Sequence, residues 1–459
     1  MTRYQVRKTL LTASIIAIAT FSGSALAQSN DGQMGLSEAV SLGVMTNPEY
    51  GVVAATRRAT DEELNQAKAL YLPSIDFAAD TGYEYREDNL TRNRTTNDDD
   101  ETLFSYAYGL TLTQLLFDGF ETKYENERQK HRVQSSAHRV RETAEFVGLA
   151  IVEAFLEVVR QRELLGITRE NVAEHLAIMD LIQDGVAAGR STQADMEQIN
   201  ARVASARAQE STVRQQLRVA EANYIREVGE MPKDLVLPAV PVNGLTANVE
   251  EEVKTALTKS PTLDISNSDI NVAYAEYEGT SSTLYPQIDL QLNARQGNNQ
   301  GAFDRFERNG SALITADWNL YRGGGDMARI REFTHRHQVA KESRNDTARA
   351  IESQVRQTWA QMVSAGEQAR EFANQAAANQ EVVRAYKDQF SLDRRTLLDV
   401  LDSQNELFVS RTNTINSEFL EMFAVYSLLA FKGDLLPALN VAYPRESTQI
   451  AIKEEKIDR

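Results

Sequence analysis

The sequence contains an internal repeat, and this duplication constrains the fold more than any other feature of its 459 residues. Four short motifs recur in the same order: 47–48 as 260–261, 71–77 as 284–290, 116–119 as 320–323, and 190–195 as 394–399. The first two pairs lie 213 positions apart and the last two 204. Because length changes concentrate in loops, each repeat is predicted to carry a loop between its second and third motifs. The repeats span about 35–240 and 250–433.

Between the second and third motifs, each repeat shows the alternation of two β-strands. Residues 74–85 and 104–116 alternate in the first repeat, and 287–295 and 312–320 alternate in the second. Segments of about ten residues with period two and aromatic residues near their ends are typical of membrane barrel strands. The alternative is a sheet of a soluble protein with one solvent-exposed face. We therefore predict hairpins at 73–117 and 285–321.

Four strands cannot close into a barrel within one chain. Bare sheet edges in lipid would leave backbone groups without hydrogen bonds, and the smallest known barrels have about eight strands. Copies of the chain must then close the barrel together. Two copies would give eight strands around an interior filled by side chains, whereas three would give twelve and leave room for a passage.

The rest of the chain is predicted to be helical at unusual length. The chain has only nine prolines, and 120–184 and 327–431 contain none. A helix of some 60 residues is about 90 Å long, which exceeds a compact domain, so such helices must pack as coiled coils. We place helices at 118–230 and 325–432, with strand-to-helix turns at Gly119 and Gly323. Segments 231–249 and 433–459 connect or follow them, and we expect the tail to be loose or wrapped round the outside.

The first 27 residues read as a secretory signal peptide. Arg3, Arg7 and Lys8 precede an apolar run, and Ala25-Leu26-Ala27 supplies a cleavage site. Removing this segment changes the formal charge from −17 to −20, because it contains three basic and no acidic residues. No later stretch approaches the ~18 apolar residues of a membrane-spanning helix. The mature chain, 28–459, is thus an exported protein.

Composition and motifs give no sign of an enzyme. The absence of cysteine excludes disulfide scaffolds and thiolate chemistry, and the acidic balance argues against nucleic-acid binding. No phosphate-binding loop, nucleophile elbow or dinucleotide fingerprint is present. His131 and His138 lie seven apart, which is not the spacing of a helical zinc pair. We expect no catalysis, no cofactor and no metal.

The paired motif that ends at Asp195 and Asp399 is the most informative polar feature. Asp399 and Asp402 share a helix face, and in a ring of subunits they would form carboxylate rings that favour cation entry. Arg395 could pair with Asp399 or with Asp195 of a neighbouring hairpin. An ordinary helix turn with local ion pairs is the alternative. The acidic loop 86–101 is a solvated loop or, alternatively, a contact for divalent ions or lipopolysaccharide.

Taken together, these motifs resemble the TolC family of outer-membrane efflux and secretion ducts. The resemblance rests on the duplication, on 72–75 and 116–119 at the strand ends, and on 395–402. It implies an α+β membrane protein: a homotrimer with four strands per protomer, a 12-stranded barrel in outer-membrane lipid, and a long α-helical tunnel across the periplasm. It also implies two partners, a periplasmic adaptor and an inner-membrane transporter.

The resemblance also implies roles for single residues. Arg395 would be the cation of a periplasmic gate with Asp195 as its partner, and Asp399 and Asp402 would form an acidic constriction. Phe390 replaces a tyrosine of the best-known member, so that side chain offers no hydrogen bond to the gate. Asp393 stands where the family motif often has glycine.

The predicted function is that of an exit duct for cargo that an inner-membrane transporter delivers. The sequence of residues 397–408 resembles the same segment of family members that serve type I protein secretion, including that of adhesins, with an ABC transporter as partner. Drug efflux with a proton-driven pump is the alternative. A passive porin and a structural coiled-coil linker without a lumen are alternatives of other classes.

Overall fold

The computed structural model describes residues 33–88, 100–241, 244–392 and 394–449. The predicted signal peptide, most of the acidic loop, Asp393 and the last ten residues lie outside the described residues.

Long helices account for most of the described chain. Their bounds are α1 Leu36–Thr46, α2 Pro48–Ala69, α3 Glu121–Ala187, α4 Gln193–Val228, α5 Val249–Lys259, α6 Pro261–Gly279, α7 Gly325–Ser391, α8 Leu397–Phe431 and α9 Leu435–Ala438. Short 3-10 turns lie at Thr280–Leu284, Gln300–Ala302 and Arg445–Ser447. Helices α3 and α7 each have 67 residues, so each is about 100 Å long.

Four long strands form one antiparallel sheet. Two short strands, β1 Gln33–Met34 and β4 Asp234–Leu235, pair separately in parallel. The long strands are β2 Ser74–Arg86, β3 Glu101–Phe117, β5 Gln287–Asn298 and β6 Phe306–Asp317. Their order in the sheet is β2-β3-β5-β6, so each repeat contributes one hairpin and the hairpins meet at β3 and β5. Strands β2 and β6 are the edges.

The two faces of the sheet differ in polarity because side chains alternate along each strand. Phe77 lies opposite Leu110, and Leu292 lies opposite Ala312, on the apolar face. Asp76 lies opposite Thr111 on the polar face. The apolar side chains are largely exposed in the single protomer. One face therefore meets an apolar environment outside the chain.

The main core lies in the middle of the long helices. It joins α1, α3, α4, α8 and the segment after Gly433. Leu435 and Leu436 have no exposed surface, and the Tyr443 hydroxyl donates a hydrogen bond to the Gly433 carbonyl at 2.6 Å. Of the two expectations for the tail, loose or wrapped round the outside, looseness is wrong for residues 435–443, which pack against the helices. Burial of its apolar side chains in the core favours the docked position of this segment.

The helices pack side by side as antiparallel hairpins. On α3 the spacing of Leu149, Val152, Leu156 and Val159 predicts a coiled-coil seam; the last three are buried and Leu149 is half-buried. On α4 the same spacing of small residues predicts a second seam, but these residues are exposed: Ala201, Ala204, Ala208 and Ser211. Val203, Ala206 and Val213 are buried in their place.

Candidate functional site

The candidate site lies where the two long hairpins turn. In the first, α3 ends at Ala187 and α4 begins at Gln193. In the second, α7 ends at Ser391 and α8 begins at Leu397. Both turns close by a backbone hydrogen bond that spans five residues, from the Arg190 amide to the Gly185 carbonyl and from the Arg394 amide to the Gln389 carbonyl. The two turns are thus built alike.

Each return helix begins with a capping box. The Asp195 amide donates to the Thr192 hydroxyl at 3.2 Å, and the Asp195 carboxylate accepts from the Thr192 amide at 2.8 Å. Thr396 and Asp399 repeat this arrangement with distances of 3.2 and 3.1 Å. The Thr396 hydroxyl and amide lower the pKa of Asp399 because they stabilise the charged form. Both aspartates therefore have a local structural role.

Arg395 is held within its own turn. Its Nε donates to the Gln389 side chain at 3.0 Å, and its guanidinium lies 4.2 Å from the centre of the Tyr386 ring. Its Nη1 is 4.0 Å from the Asp399 carboxylate. Within the described part of this single protomer, no ion pair joins Arg395 to Asp195. Their pairing stays a prediction.

Asp402 has a partner that the sequence did not reveal. Its carboxylate accepts a hydrogen bond at 3.1 Å from Arg202 of α4, so this ion pair links the two return helices. Both side chains remain partly exposed. The sequence shows only an acidic residue on α8 and a basic residue on α4, each within about three turns of the start of its helix. That signal is too common to single out Arg202.

Phe390 packs into an apolar cluster at the tip. The buried members come from three helices: Ile178, Ile182, Ile199, Val203, Leu397, Val400 and Leu401. Phe390 and Tyr386 are half-buried against them. The four long helices of one protomer are therefore held together at the tip by apolar contact.

At the other end of the long helices, glycines make the turns from strand to helix. Gly119 has φ +67°, and a Cβ there would lie 2.7 Å from the Ser282 carbonyl oxygen, so both conformation and space require glycine. The Asp118 carboxylate accepts from the Thr122 amide at 2.7 Å and starts α3. Gly323 and Gly324 have φ +63° and +83° before α7.

Aromatic side chains border the apolar face of the sheet at both ends. Tyr83 and Phe104 meet edge to face at the hairpin ends. Near the helices lie further exposed rings: Tyr71, Phe120, Tyr285, Trp318 and Tyr321. Aromatic girdles around an apolar band mark the two interfaces of a barrel with lipid. The apolar face is therefore the lipid face, and the polar face lines the lumen.

The described residues were also compared with the requirements of a membrane-spanning helix and of a metal site. None of the helices in the described part of the chain combines the length and apolarity needed to cross a membrane. Among the same residues, no three histidine, aspartate or glutamate side chains converge as metal ligands.

Comparison with known proteins identifies the family. The sequence profile described as outer membrane efflux protein matches residues 45–229 and 253–418. The chain belongs to this family. The outer membrane efflux protein BepC of Brucella suis is 25% identical over 99% of this chain and 97% of its own. The alkaline protease secretion protein AprF of Pseudomonas aeruginosa is 21% identical over 88% and 85%.

Solved structures of outer-membrane channels share the fold. The CmeC outer membrane channel of Campylobacter jejuni superposes with a TM-score of 0.76 at 12% identity, over 87% of this chain and 86% of that one. The predicted TolC family, fold class and location are confirmed, and TolC of Escherichia coli is itself a relative at 21% identity. This efflux family member is an outer-membrane channel protein with barrel strands and helices that extend into the periplasm.

Proposed function

We propose that this chain forms, as a homotrimer, the exit duct of a tripartite export system. The observation that carries the proposal is a sheet with two unpaired edges, β2 and β6, continued by helices of 67 residues. An unpaired edge in lipid is too costly, so the sheet must continue into other copies. Three copies supply twelve strands and leave a lumen, which the polar face lines.

The duct would receive its cargo from a periplasmic adaptor and an inner-membrane transporter. Protein secretion is supported by the similarity to AprF, whose name assigns it to protease secretion. Drug efflux is the second candidate, supported by the efflux designation of the family and of BepC. The transporter class separates the two, because an ABC transporter indicates protein secretion and a proton-driven pump indicates drug efflux.

Crosslinking in cells tests the partnership. A photoreactive amino acid at Leu392, which is exposed at the tip, is expected to capture an adaptor or an inner-membrane transporter. The same group at Tyr83, on the lipid face, is the matched control and is expected to capture neither. Capture of no envelope partner from the tip would contradict the proposal.

We also propose that the tip is the gate. Asp195 of one protomer would bind Arg395 of a neighbour, and Phe390 would pack beneath them without donating a hydrogen bond. The capping bonds of Asp195 use its Oδ2 atom, which leaves Oδ1 for a second cation. Asp399 and Asp402 would form the acidic constriction, in which Arg202 offsets part of the charge of Asp402. A docked partner would open the tip by binding its open form more tightly.

Two other classes predict different measurements. A passive porin would need no periplasmic helices of this length, and a coiled-coil linker would have no lumen. Purified trimers in planar bilayers are expected to conduct, and absence of conductance in every gate variant would favour the linker.

A further inference from the structure

The polar face of the sheet is covered at one place near its outer end. On β3, Ser105 and Ala107 belong to the lumen-facing row, yet each is only 2% exposed. On β6, Ser311 belongs to the same face and is exposed. Lumen-facing side chains of an isolated four-stranded sheet should be open to water. Something inside the barrel therefore covers β3.

The covering segment is the connection between β5 and β6, residues 299–305, here called the inner loop. The Gly301 amide donates a hydrogen bond to the Glu84 carboxylate, which also accepts from the Ser105 hydroxyl at 2.6 Å. The Asn299 side chain donates to the Phe104 carbonyl at 2.9 Å. Ala302 has no exposed surface. The inner loop is thus folded inward across β2 and β3.

One residue of the inner loop, Ala302, has an unfavourable backbone conformation. Asn299, Gly301 and Ala302 have φ +56°, +66° and +54°. Residues other than glycine rarely adopt this region, and alanine has no side-chain hydrogen bond to compensate. Such a conformation persists only where surrounding contacts enforce it, and the bonds to Glu84 are those contacts.

Three guanidiniums around the inner loop are paired with carboxylates. Arg295 lies 3.6 Å from the Asp80 carboxylate and donates to Gln300 at 2.9 Å. Arg305 pairs with Glu307, and Arg86 pairs with Asp88. Glu84 accepts hydrogen bonds from neutral donors only, so it adds a negative charge that these three pairs do not cancel. A constriction at this place would therefore act by size and would carry negative charge.

We propose that the inner loop of each protomer forms an outer constriction of the channel, and that Glu84 is the positioning residue that holds it against the lumen wall. In the trimer three loops would narrow the exit at one level. This inference rests on the proposed duct, but it concerns the opposite end of the molecule from the tip gate.

Thiol labelling in intact cells tests the constriction, because the chain has no cysteine of its own. Ala107→Cys lies beneath the inner loop and leaves the bonds of Glu84 intact, and Ser311→Cys is its matched control on the uncovered part of the same face. With a reagent that does not cross membranes, Ala107→Cys is expected to react about tenfold more slowly. Equal rates would overturn the covering role of the loop.

A second set of variants tests Glu84. Glu84→Gln and Glu84→Ala are expected to speed labelling of Ala107→Cys by about tenfold, since the charged acceptor of the loop amide is lost. Asp76→Ala, on the same face and strand, is the control and should change nothing. The rate at Ser311→Cys should be the same in all three backgrounds, which shows that the barrel is intact. An unchanged rate at Ala107→Cys would overturn the role of Glu84.

Reagents of different size and charge separate the two contributions to the constriction. A larger reagent is expected to be slowed more than a smaller one of the same charge at Ala107→Cys, relative to Ser311→Cys. At matched size, a sulfonate reagent should be slowed more than a quaternary ammonium reagent, because the Glu84 carboxylate is negative. Equal slowing of small and large reagents would overturn the size mechanism. Because labelling is read from outside on assembled trimers, failure here leaves the capture of partners at the tip unaffected.

Discussion

Among single residues, Thr192 and Thr396 explain why the repeated motif contains Thr-x-x-Asp in both halves. Each threonine accepts from the aspartate amide, and each aspartate accepts from the threonine amide. A helix start leaves several amides unpaired, and this exchange satisfies two of them. The local turn thus accounts for the aspartates even without any contact between protomers.

The first prediction concerns this cap. Thr192→Ala should destabilise the start of α4 by about 1 kcal/mol, because the side-chain acceptor is lost. Hydrogen exchange of the amides of residues 193–196 should be several-fold faster. Thr192→Ser keeps the hydroxyl and is the control. Equal exchange in the two variants would show that the hydroxyl does not cap the helix.

The second prediction concerns the acidic constriction. Asp399→Ala combined with Asp402→Ala should abolish block of the channel by polyvalent cations, measured in planar bilayers. Because Arg202 already pairs with Asp402, Asp399→Ala alone should remove most of the block. Asp388→Ala, another exposed carboxylate near the tip, is the control. Persistent block in the double variant would reject the ring.

Among structural elements, the tail after α8 is docked by one buried carboxylate. Glu145 of α3 accepts from the Leu435 amide at 3.0 Å, and its other carboxylate oxygen contacts the Tyr443 hydroxyl oxygen. Arg141 lies over the Tyr443 ring and donates to the Gly433 carbonyl at 3.2 Å. Burial raises the pKa of Glu145 to about 7, against the opposing hydrogen bonds.

The third prediction follows from that raised pKa. Between pH 4.5, the usual glutamate pKa, and about pH 7, Glu145 keeps its proton while the tail is docked and loses it when the tail undocks. Docking of the tail therefore weakens as the pH rises through this interval. The loss should approach about 3 kcal/mol. Protection factors of the amides of residues 435–441 should fall between pH 5 and pH 8. Glu145→Gln should remove this dependence, and Glu153→Gln, exposed on the same helix, should keep it; an unchanged profile in Glu145→Gln would contradict the assignment.

The fourth prediction concerns a buried ion pair between α5 and the end of α8. Glu252 and Lys432 lie 2.9 Å apart with side chains 1% and 2% exposed. Lys432 also donates to the Gly244 carbonyl, and the Thr246 amide donates to Glu252 at 2.9 Å. Lys432→Met should lower the free energy of unfolding by about 3–5 kcal/mol, since an unpaired carboxylate remains buried.

A double variant separates this cost from a packing defect. Glu252→Gln with Lys432→Met should recover much of the stability, as read from urea unfolding in detergent. If the double variant is less stable than Lys432→Met alone, the ion pair contributes more to folding than the avoidance of an unpaired buried charge.

For the whole molecule, the fifth prediction concerns conductance. Arg395→Ser or Asp195→Ala should raise single-channel conductance severalfold, because each removes one side of the proposed contact between protomers. Arg394→Ser, on the same turn, is the control. Unchanged conductance in both variants would leave the two residues with their local roles in the turns and reject the gate.

The sequence predicts the architecture well because the architecture depends on periodicity. Alternation locates the strands, although Trp318 and Leu320 continue the apolar pattern beyond the last paired residue, Asp317. Absence of proline locates the long helices. Three missed contacts join segments far apart in the chain: Arg202 to Asp402, Glu145 to Tyr443, and Glu84 to the inner loop. No local pattern encodes such pairs.

The equal length of α3 and α7 fixes the depth at which the helical part of the channel ends. With 67 residues in each, both turns of a protomer end at one depth, and in a trimer six turns would share a rim. Removing seven residues from one helix alone would raise its turn by about 10 Å and leave that rim uneven. Changes in tunnel length are therefore tolerable only when both repeats change together.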